Sequence, residues 1–151
     1  MSIGDPMVAE KLEQVPGILE EHGFDAWLLF VRESHTVHDP CLDLVVGSNV
    51  TWPSAFILTT GGDRVAIVGS LDKANLEMHG HYPEIVGYGA GISDDLRKTL
   101  SRLDPARIAI NYSVTTPRPT GSPKATTHPP PTPRRAHGRT ETRPHTPTTA
   151  N

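Results

Sequence analysis

Metal-binding side chains are concentrated in one short stretch of the sequence. His35 and His38 are three residues apart, so on a helix their rings would share one face and could both contact a metal ion. Asp39 or Cys41 could complete such a site. Pro40 argues against a helix through Asp39, because proline disfavours the α conformation in the residue before it. The alternative interpretation is a polar surface loop.

Three further groups contain side chains that could be chemically reactive. For each of them a structural role is the simpler interpretation. His79 and His81 could bind a metal, but exposed histidines after a helix are explained by favourable interaction with its last carbonyls. Cys41 would need a nearby base to become a nucleophile, and a single cysteine before a leucine-rich stretch is typical of a core residue. The carboxylates of Asp94 and Asp95 favour a helix start, where the helix dipole stabilises them.

The composition changes at Val114. Residues 1–114 contain 8 Lys and Arg against 16 Asp and Glu, whereas residues 115–151 contain 6 against 1. The formal charges of the two parts are therefore −8 and +5. The second part has 9 Pro and 11 Thr, and its only apolar side chains are three alanines. We predict a disordered basic tail over 115–151, because such a segment cannot bury enough apolar surface to offset the entropy of ordering it.

Several classes of protein are excluded by the sequence. It has no apolar run of about 18 residues, which a transmembrane helix requires, and its N-terminus does not have the pattern of a secretory signal. One cysteine cannot form an internal disulfide, so we expect a cytoplasmic protein without a membrane partner. The arginines of the tail could contact phosphates, but without aromatic residues we expect at most weak, salt-dependent binding of nucleic acid.

An amphipathic helix is predicted at the start of the chain. Asp5 and Pro6 form a cap followed by proline at the first helical position, and apolar residues then recur at helical spacing up to Gly23. Pro16 should kink or divide this helix, because it removes a backbone hydrogen bond. The continuous apolar run Ala26–Val31 predicts a strand that is buried on both faces.

The remaining elements of residues 1–114 are predicted from apolar runs and turn residues. Strands over 55–59 and 64–68 flank a glycine-containing turn and should form a hairpin. Asp72 and Ser93 are expected to cap two helices. The other predicted elements are a short helix around residues 42–46 and strands over 84–88 and 107–112. Together they predict an α/β fold, a mixed β-sheet with helices on both faces.

The order of these residues resembles the N-terminal domain of the creatinase, prolidase and aminopeptidase P family. The similarity covers residues 7–114 and rests on three stretches: Glu-His-Gly-Phe-Asp-Ala-Trp-Leu-Leu at 21–29, Asp-Pro-Cys-Leu-Asp-Leu at 39–44 and Val-Thr-Trp-Pro-Ser-Ala-Phe-Ile-Leu at 50–58. The resemblance implies a domain that shapes substrate access and subunit contacts. In the family, the chemistry belongs to a following pita-bread domain, where two Asp, one His and two Glu hold two metal ions.

No part of the sequence matches that catalytic domain. The resemblance therefore implies a chain with no catalytic residue, no metal ligand and no cofactor of its own, the two divalent ions belonging to the catalytic domain of relatives. It also implies that one loop faces the catalytic cleft of a neighbouring subunit in a complete enzyme. The cleft-facing candidates are His35, His38, Asp39 and Trp52.

Two functions follow as expectations. The first is a non-catalytic N-terminal domain, truncated before the catalytic half of an Xaa-Pro peptidase-like hydrolase, that associates with itself or with a related peptidase subunit. The second is a stand-alone module that binds a protein or small ligand and is tethered by the basic tail. The tail itself has the composition of a GC-rich gene translated out of frame, which is a hypothesis that the genomic sequence would test.

Deleting residues 115–151 should leave the thermal stability unchanged, because the tail has no large apolar side chain that could pack against the rest of the chain. The measurement is the midpoint of thermal unfolding, followed by circular dichroism, for the full chain and for a version that ends at Val114. A midpoint lower by more than about 5 °C in the shorter version would contradict the prediction.

Overall fold

The computed structural model describes residues 4–36 and 38–111 of the chain. The predictions for residues 112–151, including the tail, lie outside the described residues. No helix in the described part is long and apolar enough to cross a membrane. Its elements, in chain order, are α1 (Pro6–His22), β1 (Ala26–Val31), α2 (Pro40–Val45), β2 (Ser54–Thr59), β3 (Arg64–Gly69), α3 (Ser70–His79), β4 (Glu84–Tyr88), α4 (Ser93–Leu103) and β5 (Ile108–Asn111).

Helix α1 begins and ends where the sequence indicated. The Asp5 side chain accepts a hydrogen bond from the backbone N–H of Met7 at 2.8 Å, and Pro6 is the first helical residue. At the other end, Gly23 adopts the left-handed conformation (φ 69°) that favours glycine. The buried residues of the helix are the predicted ones: Val8, Leu12, Val15 and Leu19.

Pro16 does not divide α1, so that part of the prediction is wrong; the helix is assigned without a break from Pro6 to His22. A proline in a helix interior costs about 3 kcal/mol. Val15 and Leu19, on either side of it, are both buried in the core, and each aliphatic side chain contributes about 1.5–3 kcal/mol on burial. The packing of the apolar face is thus sufficient to offset the missing hydrogen bond.

The five strands of the described residues form a mixed sheet in the order β4-β3-β2-β1-β5. β2 pairs antiparallel with β1 and β3, whereas β1 pairs parallel with β5, and β3 with β4. Four strands therefore run in one direction and β2 runs against them. The predicted hairpin is β2–β3, in which Phe56 pairs with Ala66.

Helices cover both faces of the sheet, but unequally. α1, α2 and α3 pack on one face, the three-helix face, around Phe56. α4 packs on the other, the one-helix face, against Ile57 and Ile67. The predicted fold class is confirmed. Coverage of the one-helix face is incomplete, because the leucines of α4 are only partly buried and Ile110 of β5 is 56% exposed.

Two predicted helix caps are wrong. α3 begins at Ser70, and Asp72 lies in its first turn rather than at its cap. Ser93 is the first residue of α4, and the cap position is Ile92. Asp72 cannot cap the helix because its carboxylate accepts hydrogen bonds from another loop, described below. Asp94 and Asp95 do lie in the first turn of α4, as predicted.

β5 is the edge strand beside β1. Its described range is Ile108–Asn111, so it begins one residue later than the predicted 107; the predicted end at residue 112 lies outside the described part. The backbone N–H of Arg107 donates to the Asp25 carboxylate at 2.7 Å. This bond fixes the entry of β5 beside the start of β1.

Candidate functional site

The four sequence-predicted site residues lie at one end of the sheet. The parallel strands β1, β3, β4 and β5 end at the same edge, which we call the carboxyl edge. His35, His38 and Asp39 follow β1 there, and Trp52 lies just before β2, which runs the opposite way and so starts at that edge. In open α/β sheets, ligands bind beyond the carboxyl ends of the strands.

Hydrogen bonds of Ser34 join the loop after β1 to the loop before β2. The backbone N–H of Ser34 donates to the Val50 carbonyl at 3.1 Å, and the backbone N–H of Val50 donates to the Ser34 hydroxyl oxygen at 2.9 Å. Both residues are buried. The two loops are therefore held together beneath the carboxyl edge. The sequence analysis missed Ser34, because a single serine in a polar stretch carries no pattern of its own.

The predicted histidine cluster does not assemble into a metal site. His35 is exposed, and the Nε2 of His38 lies 3.0 Å from the carboxylate of Asp43 in a pair whose side chains are both exposed. Asp39 instead caps α2, since its carboxylate accepts a hydrogen bond from the backbone N–H of Cys41 at 2.9 Å. Among residues 4–36 and 38–111, no group of three His, Cys, Asp or Glu could hold a metal ion.

Trp52 is partly buried and packs beneath the carboxyl edge. A Cβ atom at Gly69 would lie 2.6 Å from the Trp52 ring, so only glycine fits there. The Tyr88 ring lies 5.9 Å from it, between centroids, at a tilt of 39°. The Trp52 side chain thus packs the loop before β2 against strands β3 and β4.

The Asp72 carboxylate fixes the backbone of the loop before β2. Its Oδ2 accepts hydrogen bonds from the backbone N–H groups of Thr51 and Trp52 at 3.0 and 3.3 Å. Asp72 is buried, so these bonds satisfy a carboxylate that would otherwise be costly to bury. Its partners are 20 and 21 residues away in sequence, which is why sequence reasoning assigned it to a local cap.

Cys41 is joined to the edge strand rather than activated. The Asn111 side-chain amide donates to the Cys41 sulfur at 3.1 Å and accepts from the indole N–H of Trp27 at 3.1 Å. Burial, followed by the nearby Asp39 carboxylate, raises the pKa of the Cys41 thiol. A thiol with a raised pKa is a poor nucleophile at neutral pH. The structure therefore agrees with the interpretation of Cys41 as a packing residue.

The second histidine pair lies between α3 and β4. The rings of His79 and His81 are stacked with 6.4 Å between centroids. His81 is only 7% exposed, so the expectation of two exposed histidines is wrong. Its neighbour Tyr82 explains the difference: the Tyr82 side chain is buried and donates to the Val45 carbonyl at 2.8 Å, which holds this connection against the domain.

An apolar groove of about 370 Å³ lies between α1 and α2 on the three-helix face. We call it the α1–α2 groove. It reaches the β5 edge, because the edge strand contributes Ala109 to its lining. The sequence could not reveal it, since its walls come from elements that are far apart in the chain. Its main apolar lining residues are Ile18, Leu19, Phe24, Trp27, Leu44 and Ala109.

No family model and no curated protein matches the chain, but its fold matches solved structures. The N-terminal domain of Xaa-Pro dipeptidase from Lactobacillus brevis has a TM-score of 0.54 and 15% identity, over 66% of this chain and 75% of that one. The creatinase/prolidase N-terminal domain of an X-Pro dipeptidase from Streptococcus pyogenes gives 0.55 and 14%, over 69% and 77%. The chain has the fold of a creatinase/prolidase N-terminal domain.

Longer structures contain the creatinase/prolidase N-terminal fold as a part. The Xaa-Pro dipeptidase from Bacillus anthracis matches with a TM-score of 0.54 and 17% identity, over 68% of this chain and 26% of the dipeptidase. The chain thus spans about a quarter of that peptidase and about three quarters of the separate N-terminal domains. The resemblance inferred from the order of residues is confirmed as a likeness of fold.

Replacing Asp72 by alanine should lower the free energy of unfolding by about 1–3 kcal/mol, because two backbone N–H groups lose their acceptor. Urea unfolding measures the change. Glu77→Ala is the matched control on the same helix; it removes an exposed ion pair with Lys73 and should cost no more than about 0.5 kcal/mol. Equal losses in the two variants would contradict a special role for Asp72.

Lowering the pH should destabilise the protein through His81. Burial, and then the charge of His79, lower the pKa of His81 from its ordinary value of 6.5, with a further decrease from Arg64 and an opposing effect of Asp5. The unfolded chain therefore binds a proton near pH 6.5 that the folded protein does not, so this stability is present above that pH and is lost as the pH falls below it.

The measurement is urea unfolding at a series of pH values between about 7.5 and 5. His81→Gln should flatten the pH dependence, whereas His35→Gln, which changes an exposed histidine, should leave it as it is. The same slope in His81→Gln as in the unchanged protein would show that other groups cause the effect.

Proposed function

We propose that the chain acts as a non-catalytic N-terminal domain of an Xaa-Pro peptidase-like hydrolase and contributes contacts instead of bond cleavage. The observation that carries the proposal is the extent of the likeness. The chain covers 75% and 77% of separate N-terminal domains but 26% of a dipeptidase. The part of the peptidase that resembles this chain is therefore the size of one accessory domain.

The donor groups of the described residues support a non-catalytic role. Hydrolysis with a pair of metal ions requires several carboxylate and imidazole ligands around one point. At the carboxyl edge these groups have other partners: Asp39 caps α2, and His38 contacts Asp43. Asp72, whose side chain is buried nearby, accepts hydrogen bonds from the backbone of the loop before β2.

The topology supports a contact role for the loop after β1. β1 and β5 are parallel neighbours, and Leu29 pairs with Asn111. β5 therefore ends at the carboxyl edge, as does the strand that precedes His35 and His38, and we propose that the catalytic domain of a complete enzyme meets this edge. We assign the contact with such a domain, and with a substrate entering it, to these two exposed histidines. Asp39 and Trp52 then act as positioning residues, because both are engaged within the loops.

A hydrolysis assay with metal analysis tests the proposal. The purified 151-residue chain is loaded with Mn²⁺, Co²⁺ or Zn²⁺, incubated with an Xaa-Pro dipeptide such as Ala-Pro, and its bound metal is measured after dialysis. We expect no turnover above the metal-only control and no stoichiometric metal. Turnover accompanied by two bound ions per chain would overturn the non-catalytic role. Loss of that turnover in the double variant His35→Ala, His38→Ala would then locate the metal at the loop after β1.

A further inference from the structure

The connection between α3 and β4 buries a histidine against the start of α1. His81 is 7% exposed, and its Nε2 is buried with no hydrogen-bond partner among the described residues. The backbone of Gly4 lies directly against the ring. A Cβ atom at Gly4 would be 2.7 Å from the Cε1 of His81 and would collide with the carbonyl oxygen of His79. Only glycine therefore fits where this segment meets the ring.

The surroundings of the His81 ring favour its neutral form. Burial opposes a charge most strongly, followed by His79 at the end of α3 and, more weakly, by Arg64 of β3; Asp5, before α1, acts in the opposite direction. The rings of His79 and His81 are stacked with 6.4 Å between centroids. In the charged form both ring nitrogens carry a proton, and Nε2 has no acceptor for it in the described part of the chain.

The segment of residues 4–7 is the side of this contact that can move. None of its side chains is buried, and the burial of α1 begins at Val8. His81 is held more firmly by its neighbour Tyr82, which is 5% exposed and donates to the Val45 carbonyl at 2.8 Å. Displacing the histidine would unpack the core, whereas displacing residues 4–7 disrupts only the cap and the first turn of α1.

We infer that the contact between His81 and residues 4–7 is a pH-sensitive latch. In the closed state the ring is neutral and the segment covers it. When the segment moves away, the ring reaches water and binds one proton from the solvent. Acid therefore favours the open state, in which the Asp5 cap is lost and the first turn of α1 frays. The latch involves no residue of the carboxyl edge, so it is independent of the proposed non-catalytic role.

The direction and size of the effect follow from proton linkage. The ring has its ordinary pKa of 6.5 in the open state and a lower pKa in the closed state. The closed state is therefore favoured above pH 6.5 and loses this advantage as the pH falls. One proton changes the opening equilibrium by at most about tenfold per pH unit. Between about pH 7.5 and 5.5 we expect opening to increase about three- to tenfold.

Amide hydrogen exchange of the full chain, followed by NMR and corrected for the intrinsic effect of pH, tests the latch. The backbone N–H of Ala9 donates to the Asp5 carbonyl at 3.1 Å and so reports on the first turn of α1. We expect its protection to be lower than that of the β2 amides and to fall about three- to tenfold between about pH 7.5 and 5.5. The fall should disappear in His81→Gln and remain in His35→Gln, which changes an exposed histidine.

Gly4→Ala tests the geometry of the latch without a change of pH. The added methyl group should hold the segment away from the ring, so that Ala9 loses protection already at about pH 7.5 and its dependence on pH is lost. Gly17→Ala is the matched control within α1, because a Cβ atom at Gly17 meets nothing within 4 Å. It should not lower the protection of Ala9, and the fall with pH should remain.

Circular dichroism shows whether each variant keeps the fold, and His81→Gln carries the test by itself if Gly4→Ala does not fold. Protection of Ala9 equal to that of the β2 amides, or unchanged between the two pH values, would overturn the latch. So would a fall with pH that persists in His81→Gln, or equal losses of protection in Gly4→Ala and Gly17→Ala. None of these results bears on the hydrolysis assay.

Discussion

The burial of β2 on both faces is the constraint on which the remaining structure depends. All six of its residues are buried, so helices must cover the sheet on both sides. Its antiparallel pairing with β1 and β3 directs Phe56 to the three-helix face and Ile57 to the one-helix face. A shift by one residue would exchange the two and place each in the wrong core.

The reversed direction of β2 also brings the candidate site together. A parallel strand would start at the far end of the sheet, but β2 starts where β1 ends, with Ser54 opposite Val31. The loop that follows β1 therefore meets the loop that precedes β2. Ser34 and Asp72 then hold these loops by bonding to their backbones. The exposed histidines thus project from a framework that is fixed by buried polar contacts.

The sequence predicted the elements that carry local signals. Ala26–Val31 is a continuous apolar run with clear ends, Glu84–Tyr88 contains the apolar pair Ile85 and Val86, and the cap at Asp5 and the glycine at 23 mark α1. Features that depend on distant partners were not predictable. Asp72 was assigned to a cap because its true partners lie in another loop, and the burial of His81 depends on tertiary packing. The likeness of fold followed from the order of the elements, whereas no single motif indicated a function.

The connection between Cys41 and Asn111 makes the thiol a reporter of local opening. The chain has one cysteine, and it lies where α2 meets the edge strand. Because the thiol is partly buried, a thiol-reactive dye labels it faster when α2 separates from β5 than when the two are in contact. A change at the contact between α2 and the edge strand therefore alters the labelling rate of the chain's own cysteine, with no residue introduced for the purpose.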